Sequence, residues 1–156
     1  MLPPSLSVKY ARRMTENLAR ARLQPDSGER FLPLRRELGV SSFGMNQIVL
    51  QPGERGRIHR HREQEEVYLV LEGSLSLFVE GTEHELEAGE LARVGPSTRR
   101  QIVNRGPGRV VLLALGGAGE HVGRDGEAFA SWEATEPTPP QELPLPEDLP
   151  AHERRG

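Results

Sequence analysis

Gly53-Glu-Arg-Gly-Arg-Ile-His59-Arg-His61-Arg-Glu-Gln-Glu-Glu66-Val-Tyr68-Leu-Val-Leu-Glu-Gly73 is the stretch on which the reading of this chain turns. His59 and His61 are two apart, so on a strand both imidazoles project to one face and can converge on one ion. Glu66 lies at an odd separation from His61 and would point away from the histidines on a continuous strand. The polar run Arg62–Glu65 is a natural place to reverse the chain. Glu66 then opens the next strand facing inward, with Tyr68 and Val70 on its side. Two imidazoles and one carboxylate form a ligand set that leaves positions open on a divalent metal. An oxygenase, isomerase or decarboxylase uses such open positions to bind its substrate.

Outward from this stretch, short apolar runs alternate with glycine or proline punctuation. Phe43–Leu50 precedes Pro52-Gly53, Val67–Leu71 precedes Glu72-Gly73, Leu75–Val79 precedes Glu80-Gly81, and Arg109–Leu115 precedes Gly116-Gly117. Many short strands at close spacing predict an all-β sandwich or barrel. The alternation in Leu75–Val79 places Leu75, Leu77 and Val79 on one face, and Glu80-Gly81 predicts a tight hairpin. If the inward face of Phe43–Leu50 carries Met45 and Gln47, these two line the pocket.

Three zones separate by composition. Residues 1–30 form an arginine-rich arm, in which Ser7–Leu23 shows a weak helical pattern; it is read as a loosely fixed arm or an added edge strand. Residues 31–132 hold the barrel. Residues 133–156 form an extended tail with six of the chain's 13 prolines, which block a central strand. The tail is expected to lie over a barrel or remain unstructured, with Leu143, Leu145 and Leu149 to dock it.

Composition narrows the function classes. At 156 residues the chain has the length of one domain. A net charge of -3 argues against a nucleic-acid partner. Lys9 is the sole lysine among 20 basic residues. The chain has no cysteine, which excludes disulfides, thiolate ligands and a cysteine nucleophile. Met1–Arg13 lacks the apolar run of a secretory signal, and nothing reaches the apolar length of a membrane span. The expectation is a cytoplasmic protein with no membrane partner.

The pattern G-x5-H-x-H-x4-E-x6-G, carried by Gly53, His59, His61, Glu66 and Gly73, resembles the first motif of the cupin superfamily. Residues 88–104 resemble the second motif at Gly89 and Asn104. They depart from it at Gly95, where the family has proline, and at Ser97, where it has glycine. The largest departure is Arg100, which stands where the family has its fourth metal ligand, a histidine. The resemblance covers residues 40 to 116. It implies a double-stranded β-helix, a conical jelly-roll barrel, that pairs as a homodimer; an exposed edge strand is itself a reason to find a partner. It also implies a metal site on His59, His61 and Glu66, for iron, manganese, nickel or zinc.

Arginine has no lone pair to offer a metal. Three arrangements follow. The three-ligand site holds a metal while Arg100 turns outward or meets an anionic substrate; Arg100 pairs with Glu66 in the metal's place; or the second motif shifts register. Two functions stay open accordingly: a metal-dependent dioxygenase, isomerase or decarboxylase acting on a small polar molecule, and a metal-free module that binds a sugar or carboxylate. Candidate ligand contacts are Arg100, Tyr68 and Gln47, with Tyr68 also a candidate proton donor. His84 is a weaker candidate as a distant ligand, and His121 and His152 are expected to be exposed.

Overall fold

A computed structural model describes residues 17–117 and 125–156. Ten strands are present among them: β1 (Phe31–Pro33), β2 (Gly44–Leu50), β3 (Ile58–His61), β4 (Glu65–Glu72), β5 (Ser74–Val79), β6 (Thr82–Glu87), β7 (Leu91–Val94), β8 (Arg100–Val103), β9 (Val110–Gly117) and β10 (Gly126–Phe129). They form two five-stranded sheets with orders β1-β2-β9-β4-β7 and β10-β3-β8-β5-β6. Every named pairing is antiparallel. This is the all-β jelly-roll barrel expected from the sequence.

The sheets face each other across Ile48, Leu50, Tyr68, Val70, Leu75, Leu77, Leu86, Ile102, Val110 and Leu112. Alternation places them there: Leu75 and Leu77 are buried and Val79 packs against the same cluster. Burying each such aliphatic side chain contributes about 1.5–3 kcal/mol. At the β5–β6 hairpin, Glu80 and Gly81 have φ of 49° and 82°. A two-residue turn whose central residues both have positive φ matches the right-handed twist of its strands. At Gly73, between β4 and β5, φ is 82° and an added Cβ would overlap the Arg109 carbonyl. Only glycine suits that position.

The proline-rich tail lies along its own barrel. The Thr138 N–H donates to the Ala128 carbonyl at 2.8 Å, and that of Leu149 to the Gly53 carbonyl at 2.7 Å. Nε of Arg57 donates to the Leu143 carbonyl and that of Arg55 to the Glu147 carbonyl. Leu149 is buried, whereas Leu145 stays partly exposed. The tail contributes two 3-10 turns and an isolated bridge but no ladder strand, as its prolines require. Phe31–Pro33, at the start of the barrel zone, pairs as an edge strand with β2, while most of Ser7–Leu23 lies outside the described residues.

Candidate metal centre

Strand β3 delivers His59 and His61 to one side, and β4, in the opposite sheet, delivers Glu66 from across the barrel. The segment Arg62–Gln64 therefore passes between the two sheets and does not close a hairpin within one. Nε2 of His59 lies 3.6 Å from Glu66 Oε1, and Nε2 of His61 lies 3.6 Å from Glu66 Oε2. The three ligand atoms lie within 4.8 Å of one another.

The surroundings prepare these groups for a cation. Nδ1 of His59 is 3.1 Å from the Arg57 carbonyl. A carbonyl only accepts, so Nδ1 carries the proton and the Nε2 lone pair faces Glu66. Both ring nitrogens of His61 are buried without a hydrogen-bond partner among the described residues. Behind them stands Asp125, with Oδ2 4.0 Å from His61 Nδ1; the same oxygen accepts the N–H groups of Glu63 and Gln64. Burial pushes the Glu66 carboxyl up, but the His59 and His61 imidazoles beside it, when protonated, outweigh that and hold it well below the ordinary range. Glu66 is thus a carboxylate, the form a metal needs.

The Tyr68 hydroxyl donates a hydrogen bond to Glu66 Oε1. Burial, followed by the Glu66 charge, raises the phenol well above its ordinary value, so Tyr68 stays protonated. It lines the cavity floor and holds the carboxylate in place.

Arg100 is paired with His59 across β8 and β3 and is completely buried. Its Nη1 donates to the Thr98 carbonyl at 2.8 Å, and Nη2 reaches the Val94 and Gly95 carbonyls at 3.4 Å. Nε faces Glu66 Oε1 at 3.8 Å. The expectation that Arg100 meets a ligand is corrected: the backbone carbonyls that accept its Nη hydrogen bonds hold it behind Glu66, away from the cavity lining. The register of the second motif nevertheless holds. Ser97, where the family has glycine, keeps a left-handed φ of 64°, and its N–H donates to the His61 carbonyl.

A cavity of about 320 Å3 opens onto the His59, His61 and Glu66 side chains. Its remaining wall includes Asn46, Ile48, Ile102 and Ala114, and Pro140 of the tail closes the edge beside His61. Gln47 does not face it. Asn46 and Ile48 do, and Gln47 turns to the opposite side, where it bonds both the N–H and the carbonyl of Gln24. Met45 shares Gln47's side. His84 is exposed on β6 and His152 is exposed in the tail, while His121 lies outside the described residues. Asp125, Asn46, Arg57 and Pro140 escaped the sequence reading. Asp125 and Pro140 are remote in the chain and carry no spacing signal. Asn46 follows from the strand's parity once its inward face is known.

The fold and this histidine–glutamate cluster define a cupin-type barrel, and comparison with known proteins agrees. Residues 46–116 match the cupin domain. That part of the barrel is a cupin domain. Over 77 residues it is 38% identical to the tetracenomycin polyketide synthase protein TcmJ of Streptomyces glaucescens, a match that takes in 48% of this chain. The chain spans about half the length of that curated relative, 52%. A cupin protein of Bacteroides fragilis superposes with a TM-score of 0.60 at 22% identity, over 67% of this chain and 86% of the other. A cupin-superfamily sugar phosphate isomerase of Silicibacter pomeroyi gives a TM-score of 0.56 at 26% identity, over 73% and 74% of the two chains.

Proposed function

We propose that this protein holds a divalent metal ion on His59, His61 and Glu66 and acts on a small polar molecule bound beside it. His61 carries the proposal. A buried polar atom without a partner costs about 1–3 kcal/mol, and an imidazole facing a carboxylate at 3.6 Å gains its missing partner when a cation enters between them. Such an ion, three-coordinate to protein, supplies Lewis-acid polarisation of a substrate oxygen. The chain's own groups do the rest. The Arg57 carbonyl fixes the His59 tautomer, Tyr68 and Arg100 orient Glu66, and Ile48, Ile102 and Ala114 limit water around the ligand.

A cavity of about 320 Å3 suits a small molecule, at the lower end of ligand sites. The likeness to a sugar phosphate isomerase at 26% identity favours isomerisation of a small polar substrate among the three reaction types considered. One observation supports a second reading, a metal-free binding module: Arg100 Nε lies 3.8 Å from Glu66, a resident countercharge. Elemental analysis separates the two. Stoichiometric iron, manganese, nickel or zinc, as purified or after metal is supplied, supports the enzyme; no metal under either condition supports the module.

We also propose a cytoplasmic homodimer. Leu91, 63% exposed on the edge strand β7, and Leu71, 40% exposed, offer an apolar strip beside an unpaired ladder edge. A monomeric mass in light scattering would exclude the dimer. No helix among the described residues is long and apolar enough to cross a membrane.

A further inference from the structure

Most arginines of the barrel are neutralised in place. Arg60 and Arg62 share Glu127, Arg105 and Arg155 share Glu83, Arg109 pairs with Glu72 and Asp26, and Arg100 is sealed against carbonyls and Glu66. The arginine that borders the cavity is different. Arg57 is two residues before His59 and lines the cavity with His59 and His61; it also borders the groove under the tail, which Ile58 faces. Its Nε donates to the Leu143 carbonyl at 2.7 Å. That single bond orients the guanidinium and leaves both Nη groups without an acceptor among the described residues, with no carboxylate within 4.0 Å.

We infer that Arg57 is the anion contact of this cavity, and that its ligand is a small molecule bearing a carboxylate or phosphate group. The inference rests on the reading of the cavity as the ligand site. An arginine is always charged, and its planar fork of donors matches an oxyanion with two parallel hydrogen bonds. The two carboxylates at the cavity do not answer it. Glu66 is taken by His59, His61 and Tyr68, and Asp125 by the N–H groups of Glu63 and Gln64. A divalent ion held by two neutral imidazoles and one carboxylate keeps a net positive charge. Together with Arg57, the site would then present two positive centres to one ligand. A neutral polyol would leave both without a countercharge; an oxyanion compensates them. The tail enters through Leu143, whose carbonyl aims the side chain.

Isothermal titration of inorganic phosphate and of oxalate into the full chain tests this, with protein stripped by chelator and with protein loaded with manganese. Arg57→Gln and Arg57→Lys are compared with wild type, and thermal melts report folding. We expect at least one anion to bind wild type in both metal states, and the stronger of the two names the source of the oxyanion. Arg57→Gln should weaken it at least tenfold with metal content unchanged, and Arg57→Lys should keep part of the affinity. Wild type binding neither anion, or Arg57→Gln binding as tightly as wild type, would overturn the inference. The metal assignment fails separately: if the protein never takes up manganese, yet wild type still binds phosphate more tightly than the Arg57→Gln variant does, the anion contact stands.

Discussion

The stretch from Gly53 to Gly73 and the stretch from Ala88 to Asn104 build adjoining walls of one site, β3 beside β8 and β4 beside β7, and they treat charge in opposite ways. The first keeps two imidazoles and a carboxylate at the cavity, with the His61 ring unpartnered among the described residues. The second replaces the expected imidazole with Arg100 and withdraws it completely from solvent behind Glu66. A ligand position has thereby become a support. The guanidinium cannot bind a metal, yet it is kept out of the space a metal needs because three backbone carbonyls fix its Nη groups. A departure from a family motif need not abolish the site; what counts is where the new side chain's polar atoms find their partners.

Arg100→Ala gives the largest stability change if this contrast is right. It leaves Glu66 without its buried countercharge and empties the guanidinium's volume, and chemical denaturation should show a loss of about 3 kcal/mol. A change below the error of the measurement would mean that Arg100 is not a buried support.

The tail tests whether the first wall stands alone. Deleting residues 137–156 removes the buried Leu149, takes Pro140 from beside His61 and frees Arg57 from Leu143. The barrel should remain folded, about 2 kcal/mol less stable by denaturation, in line with losing the burial of one leucine. Outright unfolding would place the tail within the core.

Arg100→His sharpens the comparison directly, since it removes a cation and restores a donor opposite His59. Divalent metal affinity should rise at least tenfold, about 1.4 kcal/mol, by titration calorimetry. Equal affinity would show that β8 does not reach the metal position.

The smallest effect belongs to the outside of the first wall. Glu127 is held below the ordinary carboxylate range by its hydrogen bond to Arg60, which with Arg62 outweighs the opposing effect of burial. A depressed carboxylate stabilises the fold above its unfolded-state pKa and loses that contribution as pH falls through its folded value. Acid denaturation of wild type should therefore include a component of at most about 1 kcal/mol below the usual carboxylate range, absent in Glu127→Gln.

How far the sequence reached follows from the same physics. The strands around Leu75–Val79 and Val67–Leu71 were legible because one face is apolar and the turns carry glycine with positive φ. β2 was legible as a strand but not in its facing. From Gln47 to Leu50 both faces are buried, one in the barrel and one under the Gln24 segment, so no alternation marks the inward side. The histidines and Glu66 were legible from spacing, whereas Asp125 and Pro140 reach the site through the register of β10 on β3 and the path of the tail. Arg100's importance was visible as a departure; its burial was not, because the carbonyls of Val94, Gly95 and Thr98 that receive it leave no trace in residue identity.

The central claim is that His59, His61 and Glu66 hold one divalent metal ion despite Arg100. Metal content by plasma mass spectrometry, on metal-supplied and desalted wild type and the double variant His59→Ala/His61→Ala, tests it most directly, with circular dichroism to confirm that both are folded. The account predicts one ion per wild-type chain and none in the folded double variant, with wild-type occupancy falling on acidification because imidazoles must be neutral to bind. Equal metal content in the two proteins, or none in either, would contradict it.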